Sequence, residues 1–300
     1  MGKKTYTFYA NCQGGAIAKT LEENQNFLER YERIVIKPIQ NLRAPDIETV
    51  RAKIAATDVI IYQTISERGR AKELSSENVL KYAKPDAQLI SIPSLYFDGY
   101  FPHLSSMNGH KSILTLVHDY FIAYAYCRDL SATDCLQMIQ SKTLYSKTLS
   151  QQLFQTSLEN LRRREQNEAL DITVSGHIAD KFKEKKLFNQ FNHPTRDIIE
   201  FVSDSLLEKI GVDRMNYDPT AEGHLDGLEV PIYKSTYSNL GLQFTEAFNT
   251  YKTLTEQSIS QHNIISAFYS FYDSLDKAEI LAAIKKKKPF VIPAFEQFWA

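Results

Sequence analysis

Three hundred residues, 43% hydrophobic and 24% charged, suffice for one large domain or two small ones, and exclude wholesale disorder, collagen and a mini-protein scaffold. Lys+Arg 35 against Asp+Glu 36 leave a formal charge of −1, without the basic excess of a non-specific nucleic-acid binder. No stretch approaches the ~18 apolar residues of a membrane span, no signal-peptide run opens the chain, and Cys12, Cys127 and Cys135 lack metal-type spacing; the expected setting is the reducing cytoplasm, with free thiols and no metal.

In chain order, the first hundred residues alternate strand and helix. Residues 5–10 (TYTFYA) read as a strand that stops at Asn-Cys-Gln-Gly-Gly, and a helix over 16–23 carries Ile17 and Leu21 on one face. Strands follow at 33–39, 58–62 and 88–92, with helices at 47–56 and 76–83 between them. Short, uniformly apolar strands separated by helices predict a parallel sheet with helices on both faces.

Beyond Pro102 the pattern turns helical, over 112–128, 132–141, 148–167, 175–187 and 195–210, with Ser175 and Thr195 as N-caps and Gly211 as C-cap. Residues 213–236 form a connection rich in Pro, Gly and Asp, either a boundary or a substrate loop. The tail is helical from about Leu242 and carries the basic run Lys285–Lys288. The expected organisation is an α/β catalytic core with a helical extension over 1–211, and a loop plus a mainly helical region over 212–300.

Chemistry concentrates at four places. Tyr9-Ala-Asn-Cys-Gln-Gly-Gly15 joins the first strand to the first helix, the junction where open α/β sheets bind ligands. The free N–H groups of a helix N-terminus favour anions, a thiolate at Cys12 and a developing oxyanion included. Gly14 and Gly15 permit close approach of a backbone or ligand. Against this stands the plain alternative that Cys12 is a small buried hydrophobe.

The loop 92–103, Ile-Pro-Ser-Leu-Tyr-Phe-Asp-Gly-Tyr-Phe-Pro-His, follows the fourth strand and offers Tyr96, Asp98, Tyr100 and His103 as polar tips on an aromatic loop. On an extended segment, Tyr96 and Tyr100 would point to one side, with Phe97 and Phe101 packed inward. After the third strand, Gln63 is a donor for an oxyanion, and Arg68 and Arg70 are partners for phosphate. Among the seven histidines, His193 has the most constrained setting, in Phe191-Asn192-His193-Pro194-Thr195 directly before a helix.

These segments, Asn11-Cys12-Gln13-Gly14, Gln63 with Arg68, Pro93 to Pro102 and Asn192-His193-Pro194-Thr195, together resemble the WcbI family of polysaccharide-biosynthesis acetyltransferases of bacterial capsule loci, over roughly residues 5–211. The resemblance implies an SGNH-hydrolase-like core and a coenzyme A-binding enzyme. It would move acetyl from acetyl-CoA to a sugar hydroxyl, and associate peripherally with the polysaccharide-assembly machinery. By matching motif, Cys12 is the nucleophile and His193 its base. The Cys12 or Gln13 N–H and the Gln63 side chain make the oxyanion hole, with Asn11, Gly14, Tyr96, Tyr100 and Asn192 around the substrate. Arg68 and Arg70, with Lys285–Lys288, are expected to meet the CoA phosphates.

SGNH enzymes place Asp three residues before the His, and here that position is Gln190. Asp98 is therefore the first candidate to orient His193, Asp119 the second, and a bare Cys–His dyad the third. The rival readings are a thiol esterase on the same scaffold and a non-catalytic glycan-binding member.

Overall fold

The computed structural model describes residues 2–66, 72–107, 109–115, 117–214, 216–218, 220–253 and 257–300. The chain divides into two discontinuous units: residues 1–95, 161–178 and 194–225, and residues 96–160, 179–193 and 226–300. The break expected after residue 211 is therefore corrected. Residues 194–225 stay with the sheet-bearing unit, and the segment after Pro93 leaves it at Tyr96.

The first unit runs β1 (Lys4–Tyr9), α1 (Cys12–Leu21), α2 (Gln25–Arg30), β2 (Tyr31–Arg33), α3 (Ile47–Ala55), β3 (Val59–Gln63), α4 (Ser76–Leu80) and β4 (Gln88–Ile92). The four strands form one parallel sheet in the order β2-β1-β3-β4. β3 earns its central place with Val59, Ile60 and Ile61, all buried, as a strand covered on both faces requires. On one face, Tyr9 and Ile60 pack with Val50 and Ile54 of α3 and Val79 of α4. On the other, α1 packs against the helix Arg196–Lys209; Ile17 and Leu21 of α1 and Ile198, Val202 and Leu206 of that helix are all buried.

The strand expected over 33–39 is shorter and earlier. Only Tyr31–Arg33 pairs with β1, followed by a bond from the Ile34 N–H to the Tyr6 carbonyl (2.8 Å), one from the Thr7 hydroxyl to the Ile34 carbonyl (2.6 Å) and, past Pro38, one from the Ile39 N–H to the Ala10 carbonyl (3.0 Å). The edge then lapses: Val35 is exposed, and Pro38 has no N–H to give a ladder. The strand order has a more useful consequence. The chain leaves β1 toward β2 on one side and reaches β3 on the other, so the sheet reverses direction between β1 and β3. Their carboxyl ends flank the crevice where such sheets bind ligands.

The second unit is mainly helical, with Tyr120–Cys127, Ala132–Ile139, Gln261–Tyr272, Lys277–Lys287 and Val291–Trp299 packed through Phe121, Ile122, Ile265, Phe268 and Ile284. The helix expected over 112–128 begins only at Tyr120. Leu104–Ser106 and Val117–Asp119 pair antiparallel before it, and Asp119 caps it by accepting the Phe121 and Ile122 N–H groups (3.0 and 3.2 Å). Likewise the tail is not helical from Leu242. Thr250–Lys252 pairs with Ser258–Ser260, and Ser260 caps the helix that starts at Gln261. The helix expected over 175–187 ends at Lys181, and Ser175 is its first residue rather than its cap.

Candidate functional site

β1 ends at Tyr9 and α1 begins at Cys12 itself, four residues earlier than the apolar pattern predicts. The reason is Asn11, whose extended backbone (φ −71°, ψ −167°) and side-chain Oδ1, accepting the Gln13 N–H (2.8 Å), make it the N-cap. Cys12 is consequently the first helical residue, exposed, at the crevice between β1 and β3. Among the described residues the Cys12 N–H and the Asn11 Nδ2 have no acceptor, so two donors beside the sulfur are left over. Gly14 is needed for packing: a Cβ there would stand 2.7 Å from Cβ of Ala10 and 3.2 Å from the Phe8 ring. The chain itself, not a substrate, uses the space that Gly14 provides.

Gln13 and Gln63 are both buried and bonded to one another. Gln63 accepts the Asn11 N–H (3.0 Å) and donates to Gln13 Oε1 (3.1 Å) and to the Pro93 carbonyl (3.1 Å). Gln13 donates to the Leu95 carbonyl (2.8 Å) and accepts the Leu95 N–H (3.0 Å). Both hydrogens of the Gln63 amide are thus committed, and the Gln13 N–H belongs to the Asn11 cap. The expected oxyanion donors Gln63 and Gln13 are corrected to a clamp: they fasten residues 93–95 to the end of β1, because a buried amide takes every partner within reach.

In the second unit, the segment 96–101 and the segment 188–193 come together. The Phe97 N–H donates to the Phe191 carbonyl (2.7 Å), and the Tyr96 ring lies 5.0 Å from that of Phe191. Tyr96 is partly exposed, as a substrate wall requires. Tyr100 is not. It is wholly buried, and its hydroxyl donates to the Phe182 carbonyl (2.7 Å). The alternation that would aim Tyr96 and Tyr100 alike fails because the chain turns between them, with the Phe101 N–H on the Asp98 carbonyl (2.9 Å). Gly99 sits in that turn, where a Cβ would stand 2.3 Å from the Phe97 ring. His103 is likewise buried, stacked on Tyr233 at 3.9 Å and bonded to the Tyr145 hydroxyl (3.1 Å).

His193 is half-buried, close to Asn192, and burial pushes its imidazole down to about 4, with the Asp226 carboxylate pulling the other way. It is therefore neutral at pH 7, as a proton acceptor must be. Its Nδ1 lies against the Gln190 carboxamide. Both candidate orienters are corrected. Asp98 is paired with Lys288 (3.0 Å). Asp119 accepts the Tyr233 hydroxyl (2.6 Å) and caps its helix, and burial raises its carboxyl to about 6. Neither touches His193 among the described residues.

Lys288 on Asp98, and Lys287 on the Ser106 carbonyl and hydroxyl (2.6 and 3.0 Å), show two members of the basic run serving as internal fasteners. Arg68 and Arg70 lie outside the described residues. No group of His, Cys, Asp and Glu that could hold a metal occurs among the described residues, and no described helix is long and apolar enough to cross a membrane.

A family model described as polysaccharide biosynthesis enzyme WcbI matches residues 6–215. The chain belongs to the WcbI family. A solved structure described as WcbI, a novel polysaccharide biosynthesis enzyme, superposes with a TM-score of 0.88 at 21% identity, covering 98% of this chain and 99% of the other. Its description specifies the native protein without a disulfide bond between coenzyme A and a cysteine. No curated protein matches the sequence. The WcbI fold is thus an α/β fold with a four-stranded parallel sheet, and the likeness runs through the helical residues beyond 215 as well.

Within this WcbI chain, sequence reasoning treats Gln190 only as a missing acid, yet its side chain is the one on the imidazole. The available signal is spacing, since a residue three positions back reaches the ring across the turn between Phe188–Gln190 and His193–Pro194. Asp226 gave no signal. It comes to the same place because the Val230 N–H bonds the Asn189 carbonyl (2.9 Å), and Asn189 donates to Asp226 (2.7 Å).

Proposed function

We propose that this chain is a coenzyme A-dependent O-acetyltransferase of surface-polysaccharide biosynthesis, working through an acyl-enzyme on Cys12. The observation that carries the reading is the placement of Cys12: exposed, first in α1, at the sheet's reversal point, beside two unused donors. The structural neighbour's description names coenzyme A together with a cysteine, with no disulfide bond between them, and Cys12 is the exposed cysteine of this chain; a thiol end of the cosubstrate near Cys12 fits both. The core's plan, with a nucleophile after the first strand of a parallel sheet, is that of SGNH hydrolases.

The Cys12 sulfur attacks the thioester carbonyl, and the oxyanion is held by the Cys12 N–H and the Asn11 side-chain amide. Collapse breaks the bond from carbon to the CoA sulfur, and the CoA thiolate leaves. One thioester replaces another, so the acetyl-enzyme is energetically close to its precursor. A sugar hydroxyl then attacks, gives its proton to His193, and leaves as the acetyl ester while the Cys12 thiolate is regenerated. Each oxyanion donor contributes on the order of 3 kcal/mol to lowering the barrier, and the base about 10²–10⁴-fold in rate.

Mass spectrometry after mixing with acetyl-CoA tests the first half. A gain of one acetyl group on the peptide holding Cys12, lost in Cys12→Ser, is expected. Bound CoA with no adduct points to direct transfer, and release of free acetate without a sugar acceptor points to an esterase.

A further inference from the structure

Gln190 occupies the position, three residues before His193, where SGNH enzymes carry an acid, and its carboxamide lies against Nδ1 of the ring, with the amide nitrogen placed toward it. The side chain is 1% exposed, and Oε1 is buried without a hydrogen-bond partner. Both facts bear on chemistry. A neutral imidazole holds one proton, and the partner of Nδ1 decides which nitrogen carries it. If the amide nitrogen faces Nδ1, the ring must accept there and its proton moves to Nε2. If the amide oxygen faces it, Nδ1 keeps the proton and Nε2 is bare. Turning the carboxamide about its last bond exchanges these cases with no change of shape.

We propose that Gln190 is the positioning residue of His193, its amide oxygen accepting the Nδ1 proton so that Nε2 is held as a bare proton acceptor. This arrangement supplies the buried Oε1 with the donor it otherwise lacks and turns the amide NH2 into the place that Oε1 leaves. It also gives the tautomer that the base reading requires, on which the inference rests. A carboxamide differs from the usual carboxylate in one respect: it orients without adding charge. The ring then keeps the low proton affinity set by burial, and Asp226 is the charged group acting on it.

Nitrogen NMR on the full chain with ¹⁵N-labelled histidine tests this without reference to turnover, the His193 signals being those lost in His193→Gln. At pH 7 the expected pattern is a protonated Nδ1 and a bare Nε2. The reverse pattern, or an even mixture, overturns the proposal. In Gln190→Met the preference should disappear. In Gln190→Glu it should persist, while the midpoint of the His193 titration rises by at least one unit, as an adjacent carboxylate dictates. An unchanged tautomer in Gln190→Met also overturns the role. In kinetics, Gln190→Met should lower kcat by about ten-fold or more and leave KM for acetyl-CoA nearly unchanged. Full activity of His193→Gln would sink the base reading instead, and the NMR pattern would still decide what Gln190 does to the ring.

Discussion

The clamp built by Gln63 sets up a test between two roles for one side chain. In Gln63→Met the shape is kept and every hydrogen bond is lost. The Asn11 N–H and the Pro93 carbonyl lose their partner, whereas Gln13 Oε1 retains the Leu95 N–H at 3.0 Å. One buried and one part-buried group left unmet, at the low end of about 1–3 kcal/mol each, sum to roughly 2 kcal/mol of stability. For a chain of this size that corresponds to a fall in Tm of on the order of 4 °C. Gln63→Glu should be worse at pH 7, because a carboxylate presents only acceptors to Gln13 Oε1 and the Pro93 carbonyl. The gap to the methionine variant should narrow as the pH falls and the carboxyl regains a proton to donate. Thermal and denaturant unfolding followed by circular dichroism supply both numbers. An oxyanion donor would behave differently, with kcat collapsing and stability holding. A methionine variant within 0.5 kcal/mol of the parent, roughly the spread of a neutral surface substitution, would refute the clamp.

Iodoacetamide should label the three cysteines in the order Cys12, Cys127, Cys135, read by peptide mass spectrometry. Cys12 is exposed, Cys127 is half-buried with its thiol pushed up to about 11, and Cys135 is buried with its thiol raised further; equal rates would remove the basis for a reactive Cys12. Tyr100→Phe should cost about 1 kcal/mol in denaturant unfolding, the worth of its bond to the Phe182 carbonyl, and leave KM for a sugar acceptor unaltered. A selective rise in that KM would return Tyr100 to the substrate. Acidification should separate the parent from His193→Gln. The imidazole is neutral in the fold down to about 4 but protonates near 6.5 once unfolded. Its contribution is present above pH 6.5 and lost between about 6.5 and 4, on the order of 3 kcal/mol, so parallel stability profiles for the two proteins would contradict its burial.

The parallel sheet was legible because its strands carry their own instruction. Residues 88–92 read as a strand and are one, and the strand-to-helix junction around Asn11-Cys12 was visible where the first apolar run stops. What failed were places where a single side chain or backbone angle overrides periodicity. Asp119 starts a helix halfway through an apolar stretch, just after Thr115 takes a positive φ of 65°. The edge strand stops pairing after Arg33 although its apolar pattern runs on to Ile39, and Pro38 in that continuation has no N–H to resume the ladder. In both cases hydrogen-bond accounting defeats hydrophobic pattern.

The site was legible in its residue types and less so in their partners. Cys12, Gln13, Gln63 and Pro93 were all singled out. Only the fold shows that the two glutamines spend their amides on each other and on the chain, which leaves the Cys12 N–H and Asn11 as the donors in the proposed mechanism. Asp98 shows the same limit from the other side. A carboxylate in an aromatic loop after a sheet strand invites a catalytic role, yet a lysine 190 positions away holds it at 3.0 Å. A buried or half-buried charge goes to the nearest opposite charge that the fold supplies, and sequence spacing carries no record of that competition. Gln190 escapes the rule because it is local: three residues and one turn suffice to lay its amide on the ring. Partners within a turn of each other can be read from spacing, and those brought together by packing must be read from the fold.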